Sequence, residues 1–398
     1  MNMIIDKNIL KTRILTAYLY FIIIIMFFVL VGSRSVWLLS VLVLLPFCIN
    51  NIQSLGARLY SATPILIILF WCFISSFWSE WTSFTRVETF FQVLIFTTTL
   101  LISELFNPKT IFKVLTHVAI ACILVSFLAL IIAPSAVLTS FVGVYAGKNT
   151  TGQFMAISVL LLIFTKNKPK TLAIVILFGV VLLLLTRSGT AILMFIIAAT
   201  VGYFFMNTSN NLLKLINYFL SKVGYLLLFT LFATTYYFHI EILEYIYNNL
   251  PEEALTGRGK LWIVMLQHVE EKILIGFGYA AVWWHGDYSE VYFTELALYN
   301  TEWIDKLAGS DSGYVDLVLT IGLIGMFVFC TFLYKIFVNL VNISDKYQRA
   351  TLLSIFMFII LTGITESIFL VPQNALWFLL LLIFCISLTK KGKTNYVC

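Results

Sequence analysis

The chain has 398 residues, of which 61% are hydrophobic and only 11% are charged. A soluble domain carries about 25% charged residues, so the composition excludes a soluble enzyme. The net charge of +6 belongs mostly to short basic connections between apolar runs, which excludes a nucleic-acid surface as its cause.

The apolar runs recur along the whole length, and each can cross a bilayer as a helix of about 20 residues. The expected architecture is therefore an all-α polytopic membrane protein, a single membrane domain over residues 1–398. About twelve spans are predicted on this criterion, centred near Ile23, Leu42, Ile68, Leu94, Leu124, Val159, Val180, Ala198, Leu228, Met326, Ile359 and Leu380. The first run, Ile14 to Val31, follows Lys7, Lys11 and Arg13 and has no small-residue cleavage site after it. It reads as a retained anchor. Cys48, Cys72, Cys122, Cys330 and Cys385 lie inside apolar runs, where a thiol packs as a small hydrophobe, and Cys398 ends the tail. No His or Cys spacing suggests a metal.

One long polar stretch, Glu241 to Asp311, interrupts this pattern, and residues 240–313 are expected to form a large loop outside the membrane. With alternating spans, most of the 25 Lys and Arg residues fall on the side of the N-terminus, among them Lys7, Arg58, Lys166, Arg349 and Lys390. The positive-inside rule then places both termini in the cytoplasm and the large loop outside. Lone cations on the outer side carry the most information: Arg86, Lys148, Arg187 and Arg258. Each taken singly pairs with an acid or snorkels to lipid phosphate. Together, in a chain with so few charges, they suggest a shared anion site, because guanidinium matches phosphate oxygens bidentately.

The outer segments read SSFWSEWTSFTR (Ser75 to Arg86), GVYAGKNTTG (Gly143 to Gly152), LLTRSGTA (Leu184 to Ala191), TGRGKLW (Thr256 to Trp262), GFGYAAVWWHGD (Gly276 to Asp287) and SDSGYVDLVLTIGLIG (Ser310 to Gly325). In order and spacing this series resembles the bacterial O-antigen polymerase and ligase family, which includes exopolysaccharide polymerases. The resemblance implies an integral-membrane glycosyltransferase of GT-C-like fold in the bacterial inner membrane, with its active site on the periplasmic side. Its substrate class would be a glycan on undecaprenyl diphosphate, used with neither a metal nor a nucleotide sugar and without other cofactor. A chain-length regulator is the protein partner such an enzyme suggests. By motif, Arg258 and Arg187 resemble the arginines that hold the diphosphate, and Lys148 belongs to the same surface. Two departures stand out. Asp311-Ser312 replaces the His-Asn or His-Ser that many members carry before Gly-Tyr, which favours a polymerase over a ligase. Gly189 takes a position where an Arg is usual, with Arg187 two residues earlier.

The chemistry makes two demands of any such site. The leaving diphosphate needs preorganised positive charge, and the attacking hydroxyl needs a base or a partner that orients it. Asp311 and His285 are the nearest candidates for the second role. Asp311 precedes a predicted helix and could equally cap it, as could Ser310 or Ser312. Trp78, Trp81, Trp262, Trp283, Trp284 and Trp303 fall in outer segments. They read first as interfacial belt residues, while one or two, with Tyr314, could line a saccharide path. Glu80 and Glu88 flank Arg86 closely enough for an ion pair, and Asp316 and Glu366 are acids within or at the edge of spans, each a functional suspect or a partner for an outer arginine. The reading that follows is a surface-polysaccharide polymerase. Its rivals are an O-antigen ligase, which moves the glycan to lipid A core, and a lipid-linked oligosaccharide transporter, although no internal repeat of the kind transporters show is present.

Overall fold

A computed structural model describes residues 2–28, 34–132, 140–166, 169–249, 258–283, 285–298, 304–305 and 307–388. Among these residues there are helices and connections but no strand. Helices α1 (Asn2–Phe27), α2 (Ser35–Cys48), α3 (Ile52–Ser61), α4 (Thr63–Ile74), α5 (Thr82–Leu105), α6 (Pro108–Ile132), α7 (Lys148–Ile163), α8 (Lys170–Leu185) and α9 (Gly189–Asn207) come first. They are followed by α10 (Asn210–Phe219), α11 (Tyr225–Tyr237), α12 (His239–Asn249), α13 (Arg258–His268), α14 (Gly313–Val341), α15 (Lys346–Thr362) and α16 (Ala375–Ser387). The chain is an all-helical polytopic membrane protein.

All twelve predicted centres fall in helices, but length separates them. Among the described residues six helical segments are long and apolar enough to cross a membrane, one of them the continuous run from α10 through α11 (Asn210–Tyr237), or seven if the bent pair α3–α4 is one span. Helices α2, α8 and α16 are apolar but shorter, and α7 and α15 have 16 and 17 residues. Composition alone could not see that the chain breaks its helices inside apolar runs.

Side-chain caps set several helix starts. Ser209, Asp345 and Asn374 each accept backbone N–H groups of the first turn of α10, α15 and α16, which satisfies donors that a helix N-terminus otherwise leaves open. In the main core α2 and α16 pack on α5, α7 on α6, α8 and α9, and α9 runs along α15, while a second apolar cluster joins α13, the following loop and α14. Gly152 lets α7 approach the start of α9. A Cβ there would lie 2.8 Å from the Ala191 Cβ and 3.3 Å from the Ser188 Cβ.

The decisive feature is a break in α14. Gly322 has φ 68° and ψ −177°, a conformation essentially restricted to glycine. In an unbroken helix Leu323 and Ile324 would donate to Leu319 and Thr320. Instead, the Leu319 carbonyl accepts from Phe277 N (2.9 Å) and the Thr320 carbonyl from Gly278 N (2.9 Å). Leu323 N donates to Ile273 O (2.8 Å) and Ile324 N to Leu274 O (3.1 Å). The Trp71 indole covers Ile321 O at 2.9 Å. Residues 273–278 thus insert their own backbone into the gap. Each of these groups left open in an apolar surrounding would cost several kcal/mol, so the loop and the broken helix require each other. The polar stretch is accordingly not one free loop, since its middle is anchored in the bundle.

Candidate functional site

The docked segment is clamped from the other side by the Ser75–Trp81 connection. The Trp78 indole donates to Gly276 O (3.2 Å), Ser75 Oγ accepts from Tyr279 N (2.9 Å), and Thr85 Oγ1 donates to Tyr279 O (2.8 Å). The SSFWS and GFGY elements are therefore two halves of one joint. Three of the tryptophans expected in an interfacial belt act here as hydrogen-bond clamps: besides Trp78, Trp262 donates to Ser310 O (2.7 Å) and Trp283 to Asp316 Oδ1 (3.1 Å).

Two adjoining places result. The first is a polar mouth. Arg258 opens α13 and its Nε meets Asp311 Oδ2 at 3.1 Å, while Nη1 donates to Thr365 O at 3.1 Å. Beside this pair, Asn149 donates to Glu366 Oε1 (3.0 Å) and Ser188 Oγ donates to Asn149 Oδ1 (3.0 Å). Lys148 and Arg187, both exposed, are the chain neighbours of Asn149 and Ser188. The mouth thus draws on five separate segments, which carry Asn149, Ser188, Arg258, Asp311 and Glu366, and the chain sets Lys148 and Arg187 next to two of them. Arg187 (φ 51°) and Asp311 (φ 57°) both adopt the left-handed conformation, which ordinary residues rarely occupy and which Asp and Asn tolerate. Backbone strain of this kind concentrates at functional sites.

The second place is a cavity of about 470 Å³. Its wall comes from Phe84 and Glu88 on α5, Tyr279 to Trp283, the first turns of α14 and the 367–373 connection. That connection is held by Tyr279 Oη and Gln92 Nε2, both donating to Leu370 O at 2.6 Å, and by the Trp37 indole on Pro372 O at 3.0 Å. Inside the cavity Arg34 forms an ion pair with Glu88.

Several expectations change. Glu88 pairs with Arg34 and not with Arg86. Arg86 lies on the exposed face of α5, with its Nε 3.3 Å from Ser76 Oγ and its guanidinium 5.9 Å from the Phe77 ring. It therefore stands apart from the mouth, because α5 turns residues 86 and 88 to different sides. Asp311 is not the cap of α14, since Ser312 takes that place and accepts from Val315 N. Tyr314 is packed away, its hydroxyl on Ile360 O (2.8 Å) and its ring 5.1 Å from that of Phe369. His285 stacks on Trp81 at 3.9 Å and its Nε2 meets Ala280 O at 3.1 Å. Burial holds its pKa below the ordinary imidazole value, so it is neutral at pH 7 and packs against Trp81 and Phe84. Trp283 lines the cavity, whereas Trp284 and Trp303 lie outside the described residues. Sequence reasoning singled out neither the 367–373 connection nor Arg34. The one available signal for Arg34 was an acid, Glu88, near the start of α5.

An all-helical membrane protein with a cationic mouth beside an internal cavity is the class these observations define. Residues 135–330 match the family model described as O-antigen ligase. This segment, which contains the mouth residues Lys148, Arg187, Arg258 and Asp311, belongs to the O-antigen polymerase and ligase family, and the protein's function is of that type. No curated protein matches the chain.

Two predictions follow from the mouth. Asp311→Asn keeps a side chain suited to φ 57° and leaves the Ser312 cap intact, so normal insertion is expected. Glycan transfer by purified protein should nonetheless fall at least about a hundredfold if the carboxylate takes the proton of the attacking hydroxyl. Transfer at the parental rate would remove Asp311 from the chemistry. The second concerns Glu366. Burial lifts its carboxyl pKa above the usual range; Arg258 pulls it back, and Asp311 pushes it up further. A folded-state pKa above the unfolded one gives stability that is complete below the unfolded value and lost as pH rises through the folded value. Glu366→Gln keeps an acceptor for Asn149 and removes this loss. The Tm of the variant should therefore exceed that of the parent by a margin that widens from about pH 4 to about pH 8. A margin that stays constant or shrinks would contradict a buried, costly carboxylate.

Proposed function

We propose that the protein is a surface-polysaccharide polymerase, of an O-antigen or an exopolysaccharide, that moves a growing glycan from undecaprenyl diphosphate onto a lipid-linked repeat unit. The observation that carries this reading is the Arg258 guanidinium, held by Asp311 and Thr365 next to the Glu366–Asn149–Ser188 chain of hydrogen bonds. Two of its nitrogens are fixed by protein, so its plane is set before a substrate arrives, and preorganised charge of this kind stabilises a leaving diphosphate. The acceptor oxygen bonds to the anomeric carbon as the carbon–oxygen bond to phosphate breaks. The bonding pair leaves on the diphosphate, and the hydroxyl proton passes to the Asp311 carboxylate. Asp311 at the place of the family's histidine favours the polymerase branch.

A deletion strain tests this reading. Single repeat units on the surface are the expected result, whereas long chains not attached to lipid A core would make the protein a ligase, and repeat units trapped in the cytoplasm would make it a transporter. The same reading puts the mouth on the periplasmic side of the inner membrane and both termini in the cytoplasm, supported by the bias of basic residues. An alkaline phosphatase fusion at Asp287 should be active and one at Cys398 silent. The reverse pattern would overturn the orientation.

A further inference from the structure

The proposed function uses the mouth alone and leaves the adjoining cavity without a role. We infer that this cavity is a saccharide subsite that holds the terminal sugar of the acceptor, with Asp316 as its principal hydrogen-bond acceptor. The inference rests on the polymerase reading and adds to it the place and chemistry of acceptor binding.

Four observations support it. The volume of about 470 Å³ falls within the range of about 300–1,000 Å³ that small-molecule sites occupy. The wall offers aromatic surface from Phe84, Trp283 and Phe369, the kind of flat apolar face a pyranose ring covers. Fixed polar groups stand between these rings. Asp316 Oδ1 accepts from Ser310 N (2.9 Å) and from the Trp283 indole (3.1 Å), which locks the carboxylate in the wall. Ser367 Oγ is buried in the same wall beside the Asp316 carboxylate, and a sugar hydroxyl, which both donates and accepts, suits such a pair. Finally, the one cation in the wall among the described residues, Arg34, is already paired with Glu88, so the site suits hydroxyls better than a second phosphate.

Connectivity places the subsite correctly for transfer. Ser310 N reaches Asp316 in the cavity wall, and the next residue, Asp311, reaches Arg258 in the mouth. One strained segment therefore touches both places, so a sugar bound against Asp316 has its free hydroxyl near the diphosphate side.

The test uses the full chain in detergent and two probes: the lipid-free repeat-unit oligosaccharide released by mild acid from the cell's own lipid-linked intermediates, and inorganic pyrophosphate. Binding of the first is followed by saturation-transfer NMR, and of the second by phosphorus line broadening. Ala308→Trp occludes the cavity from an exposed position in its wall. Asp316→Asn keeps an acceptor for Ser310 and Trp283 but removes the charge. Both variants should weaken the oligosaccharide about tenfold or more and leave pyrophosphate unchanged, while Arg258→Ala should do the opposite. Oligosaccharide binding that is absent in the parent, or untouched by both cavity variants, overturns the subsite and leaves the polymerase reading standing. Failure of the parent to bind pyrophosphate strikes the polymerase reading itself.

Discussion

Arg258→Ala is expected to abolish long polysaccharide at normal protein abundance, with single-turnover transfer reduced about 10²–10³-fold. Arg258→Lys should fail nearly as badly. The reason lies in the two directions of the guanidinium. Its Nε meets Asp311 and its Nη1 meets Thr365 O, so the plane is fixed by contacts that only a fork can make at once. A lysine ammonium is a single point that can satisfy one of them, and it has no planar edge to present to phosphate oxygens. The Asp311 pair is half exposed on the carboxylate side, at 48%, so its own contribution to stability is small and the loss should appear in transfer and not in folding. Membrane-extracted protein eluting at the parental position with long chains still made by Arg258→Ala would defeat the diphosphate assignment.

Gly322→Ala is expected to remove most folded protein. A Cβ at this position would lie 2.3 Å from the carbonyl carbon and oxygen of Leu274 and 2.4 Å from Ile275 N. These are backbone atoms with no free end to swing aside, and they belong to the loop that completes the hydrogen bonding of α14. Strain from the backbone angles alone is about 1–3 kcal/mol, and separation of the loop adds unpaired peptide groups in an apolar setting. Gly189→Ala, where nothing lies within 4 Å of the added carbon, is the control and should behave as the parent. Fluorescence-detected size-exclusion chromatography reads both. A monodisperse, parental-level peak for Gly322→Ala would mean that the break in α14 can close into a regular helix.

Much of the architecture was legible because the membrane imposes a simple rule. A bilayer accepts only apolar helices of sufficient length, and each predicted centre indeed lies in a helix. The number of full crossings was not legible, because a helix break inside an apolar run leaves no trace in hydropathy. The break at Gly322 is visible only through the partner that fills it, Ile273 to Gly278, some 45 residues earlier in the sequence.

The site divides in the same way. Arg258, Arg187, Lys148 and Asp311 stood out because a charge in a chain this apolar needs a reason. Residue type and order sufficed to name them and to recognise the family resemblance. What the tertiary structure alone decided was the pairing. Helix rotation sent Arg86 to the outer face of α5 and Glu88 inward to Arg34. The cap of α14 went to Ser312, which freed Asp311 for Arg258. The cavity arose where α5, the docked loop, the start of α14 and the 367–373 connection converge. Local sequence determines which residues are unusual for a membrane, since that depends on composition within a few turns. Which of them meet depends on backbone hydrogen bonds between segments far apart in the chain, and those are set by the packing of the whole bundle.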